Sequence, residues 1–149
     1  MKLGIASDHR GYDLKEKIKE ELKKENIVIN DYGTNSQEST DYPDYAFKLG
    51  EAVNNREVDY GIAICGSGIG ISIACNKVKG VRCAKVSSEE EAMITRNDNN
   101  SNIVAFGEKT SLEEAIKIIK AFIETPFSKE EKHKRRVNKI IEYEEKHER

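Results

Sequence analysis

Apolar residues come in short runs separated by stretches of helical period. Leu3 to Ala6 form one such run, which ends in Ser7-Asp8-His9-Arg10-Gly11, and Leu14, Ile18 and Leu22 then recur one turn apart. The pattern predicts strand, loop and helix. It repeats downstream, with a short strand predicted over Ile27 to Ile29, a long polar loop over Asp31 to Pro43, and a helix face marked by Tyr45, Leu49, Ala52 and Val53. A third strand is predicted from Val58 to Cys65, nearly continuous in apolar residues around Ile62, Ala63 and Ile64, as for a central parallel strand covered on both faces.

Val81 to Val86 and Asn102 to Phe106 predict two more strands. Between them a helix is expected over Glu89 to Thr95, after the capping-type residues Ser87 and Ser88. Leu112, Ala115, Ile116, Ile119, Phe122 and Ile123 define an amphipathic helix stopped by Pro126, and a last charge-dense helix carries Val137, Ile140 and Ile141. Parallel neighbours need crossover helices, so this alternation predicts a Rossmann-like, three-layer α/β fold around a doubly wound sheet of five parallel strands. No repeat or low-complexity linker interrupts it, and residues 1–149 are expected to form one domain. Ligands of such sheets bind beyond the carboxyl ends of strands. Three chemically conspicuous loops fall there: Asp8 to Gly11, Cys65 to Gly70, and Gly107-Glu108-Lys109.

Composition narrows the function classes. Charged residues make up 35% of the 149 and hydrophobic ones 37%, but the formal net charge is only -2, which argues against nucleic acid or an anionic membrane as partner of the whole molecule. No run approaches the roughly 20 apolar residues of a membrane span, and the start MKLGIASDHRG turns polar too early for a signal peptide, so a cytoplasmic location is expected. Cys65, Cys75 and Cys83 are odd in number and contain no C-x-x-C pair, which points to reduced thiols and no zinc site.

In Cys65-Gly66-Ser67-Gly68-Ile69-Gly70, alternating glycines join a buried strand to a helix, so that backbone N–H groups can approach an anion; the alternative is a tight turn whose glycines serve packing alone. No Lys-Ser/Thr follows as in a P-loop, and Ile71 stands where a dinucleotide fingerprint has its third glycine. Cys65 at the strand end is placed either as a thiolate base or as a small buried hydrophobe; Cys75 and Cys83 read as core. Asp8 and His9 can bind hydroxyls or phosphate or carry protons. Lys132 and Arg136, four apart in Lys132-His133-Lys134-Arg135-Arg136, share a helix face suited to phosphate or simply to water.

Together these residues resemble the ribose-5-phosphate isomerase B and galactose-6-phosphate isomerase family. The likeness runs through Ser7 to Gly11, Asp31-Tyr32-Gly33-Thr34, Asp41-Tyr42-Pro43, Ile64 to Asn76, Asn99 and Ile103 to Gly107. It implies a metal-free and cofactor-free interconversion of an aldose phosphate and a ketose phosphate through a cis-enediolate. Cys65 matches the thiol that moves the proton between C1 and C2, and the amides of Gly66, Ser67, Gly68, Ile69 and Gly70 match an oxyanion hole. Asp8, His9 and Asn99 match substrate contacts. Lys109, Lys132 and Arg136 match basic positions, the last two on a C-terminal helix that reaches a neighbouring subunit, so a homodimer, or a tetramer made of two such dimers, is implied.

Two departures bear on chemistry. Lys109 and Lys132 stand where arginine is usual, which keeps charge and loses the planar two-pronged grip. Asp98 stands where the ribose-phosphate enzymes commonly carry a histidine that opens the furanose ring, and an ordinary aspartate is ionised at pH 7. Either its pKa is raised, or another group such as His9 or water opens the ring, or the substrate is not ribose 5-phosphate. The expected activity is isomerisation of ribose 5-phosphate and ribulose 5-phosphate; the alternatives are the same chemistry on a hexose 6-phosphate, or a silent sugar-phosphate binding module.

Overall fold

A computed structural model describes residues 1–147. Five parallel strands, β1 (Lys2–Ser7), β2 (Val28–Asp31), β3 (Tyr60–Cys65), β4 (Cys83–Lys85) and β5 (Ile103–Gly107), form one sheet in the order β2-β1-β3-β5-β4. Six helices accompany them: α1 (Tyr12–Lys23), α2 (Tyr42–Asn54), α3 (Ile69–Cys75), α4 (Glu89–Asn99), α5 (Leu112–Glu124) and α6 (Glu131–Lys146). The result is the three-layer, doubly wound arrangement expected. Alternation along β3 explains the two cores. Ile62 and Ile64 face Leu14, Ile18, Ile118 and Phe122 of α1 and α5, whereas Ala63 and Cys65 face Leu49, Ala52, Ile71 and Cys75 of α2 and α3. Each fully buried Leu or Ile contributes about 1.5–3 kcal/mol relative to exposure.

The strand order reverses between β1 and β3, opening a crevice at Ser7 and Cys65. Main-chain hydrogen bonds tie the loops there to the sheet: the Asp8 N–H donates to Ile64 O (3.3 Å), and the Glu108 N–H donates to Cys65 O (3.0 Å) and Gly66 O (3.2 Å). On the β2 side, Lys15 Nζ is fully buried and meets Asp31 Oδ2 at 2.5 Å, while Asp31 Oδ1 accepts the Gly33 N–H at 2.8 Å. Gly33 O and the Thr34 N–H then bond the Ser7 N–H and O, both at 2.7 Å. Burial opposes ionisation of Asp31, but hydrogen bonds from Lys15, Lys19 and the Gly33 amide outweigh it and hold the carboxyl below its usual range.

Several boundaries differ from expectation. β2 is shifted towards the C-terminus because Asn30 and Asp31 pair with Gly4 and Ile5, polar residues being acceptable on an edge strand. β3 begins at Tyr60 rather than Val58, and β4 shrinks to three residues. Pro43 lies inside the first turn of α2, where its missing N–H costs nothing. α4 continues four residues beyond Thr95, since Arg82 and Arg96 hold its end: Arg82 donates to Asn99 O and Asn100 O, and buried Arg96 to Asn100 Oδ1, Ser101 O and Thr125 O. Ser88 does cap α4, accepting the Glu91 N–H at 3.1 Å.

Candidate functional site

Cys65 closes β3 and is buried, with its sulfur receiving the Gly68 N–H at 3.2 Å. The chain must then turn at once into α3. Gly68 makes that turn with φ of +80°, and a Cβ there would stand 2.6 Å from the Phe106 carbonyl carbon, so the loop is pressed against the backbone of β5. Gly66 is less confined, the same hypothetical atom meeting Glu108 Oε2 at 3.5 Å and Arg10 Cγ at 3.9 Å, ordinary contact distances. Ser67 is exposed and its Oγ accepts the Ile69 N–H at 3.1 Å. Cys83 is a poor candidate for proton chemistry, because its hydrogen bond with Cys75, and then burial, push its thiol well above the ordinary value, and Cys75 itself is buried in the core against α2.

Asp8 and His9 enter the same crevice. Asp8 is buried, and its Oδ1 accepts the N–H groups of Arg10 (3.0 Å) and Gly11 (3.1 Å), fixing the loop that opens α1. His9 Nδ1 accepts the Thr40 N–H at 3.2 Å, so a neutral His9 carries its proton on Nε2, ready to donate. Lys109 is exposed on the turn after β5. Asp8, His9, Cys65 to Gly70 and Lys109 thus gather at the carboxyl ends of the strands.

The remaining expected site residues lie elsewhere. In the sheet Cys65 pairs with Gly107 and Gly61 with Ile103, four residues of strand or about 13 Å apart. Asp98 and Asn99 end α4 just ahead of Ile103, at the amino-terminal end, and the segment leading into α6 is tied beside them by a hydrogen bond from the Ser128 N–H to Asn97 O (3.1 Å). Lys132 and Arg136 are exposed one turn apart on α6. One protomer therefore holds two clusters at opposite ends of its sheet.

Between those two cations the helix turns His133 inward. Its Nε2 lies 3.2 Å from Glu130 Oε2 and 3.7 Å from Asp98 Oδ1. In sequence His133 stands among surface charges, between Lys132 and Lys134. Its spacing of four from Val137, also buried, was the available signal, since the inward stripe runs through His133 and Val137 while Ile140 is exposed. Among the described residues, no three His, Cys, Asp or Glu side chains converge on a metal position, and no helix is long and apolar enough to cross a membrane.

Known proteins share this fold. Ribose-5-phosphate isomerase B of Escherichia coli is 39% identical over 146 residues, 97% of each chain. A ribose-5-phosphate isomerase B structure from Clostridium thermocellum superposes with a TM-score of 0.93 at 46% identity, covering 98% of this chain and 99% of that one. The Mycoplasma genitalium enzyme, solved with bound ribulose 5-phosphate, gives a TM-score of 0.89 at 41% identity over 97% and 96% of the two chains. The Ribose/Galactose Isomerase family model matches residues 3–140, and the chain belongs to that family.

Proposed function

We propose that this chain is a single-domain ribose-5-phosphate isomerase, interconverting ribose 5-phosphate and ribulose 5-phosphate through a cis-enediolate. The observation that carries the reading is Cys65: a thiol at the sheet's switch point, accepting the Gly68 N–H, in a chain whose M. genitalium relative holds ribulose 5-phosphate. In the open-chain aldose, Cys65 takes the proton from C2 and returns it to C1. The Gly68 N–H gives a negative sulfur its hydrogen-bond partner, and the neighbouring amides of Gly66, Ser67 and Gly70 meet charge developing on oxygen. His9 Nε2–H donates to a substrate oxygen, and Asp8 holds the loop that presents it.

The second cluster reaches the substrate from another copy of the chain. Ile69 and Ile73 are more than half exposed on α3, next to the Cys65 loop, with Tyr42 and Phe47 of α2 also exposed, an apolar surface suited to a second protomer. A two-fold homodimer on this face brings Asp98, Asn99, Lys132 and Arg136 of one copy to the Cys65 crevice of the other. Lys132 and Arg136 then grip the phosphate together with Lys109. Asp98 and Asn99 meet the sugar, and His133 beside Asp98 supplies a group able to move a proton for ring opening.

The test is formation of ribulose 5-phosphate from ribose 5-phosphate without added metal, beside a Cys65→Ala control. Turnover in the native chain that falls at least about 1,000-fold in the control is expected, the scale of losing an essential base with its proton path. Turnover of hexose 6-phosphates alone would refute the pentose reading, and full activity in the control would refute Cys65 as base.

A further inference from the structure

Across the mouth of the Cys65 crevice runs an ion pair that neither the expected site nor the mechanism above uses. Arg10 Nε lies 2.6 Å from Glu108 Oε2, joining the loop after β1 to the loop after β5. Both ends are anchored through their own main chain, Arg10 N–H on Asp8 Oδ1 and Glu108 N–H on Cys65 O and Gly66 O. The pair lies directly over Gly66. A Cβ on that glycine would stand 3.5 Å from Glu108 Oε2 and 3.9 Å from Arg10 Cγ.

As a stabilising device this pair is poorly placed. The Arg10 side chain is 58% exposed, and exposed ion pairs are worth little. Its geometry fits another purpose. Glu108 Oε2 is shielded from solvent and receives no directed hydrogen bond, so its charge is met by the guanidinium alone. Only Nε of Arg10 is engaged; its two terminal nitrogens have no protein partner among the described residues. A guanidinium held by one edge, with its fork directed to solvent, is prepared for a bidentate contact with an anionic group. The neighbours in sequence are His9 and Lys109, both already on the rim of the crevice.

We propose that Arg10 is a further substrate-binding residue, gripping the phosphate group of the sugar phosphate through its terminal nitrogens, and that Glu108 is the positioning residue that aims it. Lys109 and Lys132 are point charges and cannot make a planar two-pronged contact, which leaves Arg136 the one fork among those three cations, and Arg10 adds a second on the rim that carries Lys109. The Glu108 carboxylate, uncovered, would repel the same phosphate, so the two residues act as a unit. This rests on the sugar-phosphate reading given above, but phosphate binding tests it without requiring turnover.

The experiment measures calorimetric affinity for inorganic phosphate, and KM and kcat for ribose 5-phosphate, in the native chain and in Arg10→Ala, Arg10→Lys, Glu108→Gln and the double variant Arg10→Ala/Glu108→Gln. Loss of the fork is expected to weaken phosphate affinity and raise KM about tenfold in Arg10→Ala, with kcat within about threefold of native. Arg10→Lys recovers only part of this. Glu108→Gln weakens binding less in the native background, and in the Arg10→Ala background it adds no loss and recovers part of the affinity, because the uncovered carboxylate no longer repels the phosphate. Unchanged phosphate affinity and KM in Arg10→Ala would overturn the proposal, leaving a surface ion pair. An equal loss from Glu108→Gln in both backgrounds would overturn the positioning role. Ordered phosphate effects with no turnover of ribose 5-phosphate would instead count against the pentose reading and leave Arg10 in place.

Discussion

Replacing Asp31 by Asn isolates one buried charge. Lys15 Nζ is 0% exposed and faces Asp31 Oδ2 at 2.5 Å, with Glu16 Oε2 as its second partner at 2.9 Å. Asparagine keeps an oxygen for the Gly33 N–H, so the link to Ser7 survives while the carboxylate charge is lost. Breaking a fully buried pair costs about 3–5 kcal/mol; because Asp31 is partly exposed and Glu16 remains, we expect about 3 kcal/mol. With a urea m-value of about 2 kcal/mol/M, the unfolding midpoint falls by about 1.5 M. The loss also depends on pH. The folded carboxyl titrates below its unfolded value of about 4, so the unfolded chain takes up the proton first on acidification. Asp31 therefore stabilises fully above about pH 4 and loses its contribution as pH falls through the lower folded value. The gap between native chain and variant should close in acid. Urea titrations at pH 7 and pH 3 measure it, and a variant within about 0.5 kcal/mol of native at pH 7 would refute the reasoning.

Other consequences are testable more briefly. Gly68→Ala forces a side chain at positive φ into the β5 backbone and should lower stability by more than about 2 kcal/mol in urea, whereas Gly66→Ala, which meets only the Glu108 and Arg10 side chains at ordinary contact distance, should cost less than about 1. His133→Asn should slow ribose 5-phosphate turnover about 100-fold yet leave deuterium wash-in at C1 of acyclic ribulose 5-phosphate within about threefold, since exchange needs Cys65 and no ring opening. Equal losses in both assays would make His133 structural. Mixing and reassembling inactive Cys65→Ala and Arg136→Ala chains should restore about a quarter of native activity, because half the dimers become hybrids with one intact site each; no recovery would place both residues in one protomer's site.

Much of this was legible because the fold announces itself through period and punctuation. The buried runs Leu3 to Ala6 and Ile62 to Ile64, and the stripe Leu14, Ile18, Leu22, lie where alternation and helical spacing put them. The glycine loop and Asp8-His9 reach one crevice as strand-end loops should. What escaped depends on partners distant in sequence. Asn97, Asp98 and Asn99 are weak helix formers, and their place in α4 follows from Arg82 and Arg96, which no local pattern reveals. Nothing local marks Lys15, in a helix dense with lysines and glutamates, as buried; its partner Asp31 lies at the end of β2. The pairing of Arg10 with Glu108 joins loops nearly one hundred residues apart, and His133 looked like one more charge in a basic run.

The main-chain bonds that fasten Asp8 to Ile64 and Glu108 to Cys65 and Gly66 have a consequence for ligand design. Loops sewn to the sheet in this way have little freedom left to surrender on binding, so an arriving sugar phosphate meets a surface already in its working shape. Molecules that compete for it gain by rigidity of their own. An inhibitor frozen as a planar enediolate mimic should lose less affinity here than it would against a crevice that has to close around it.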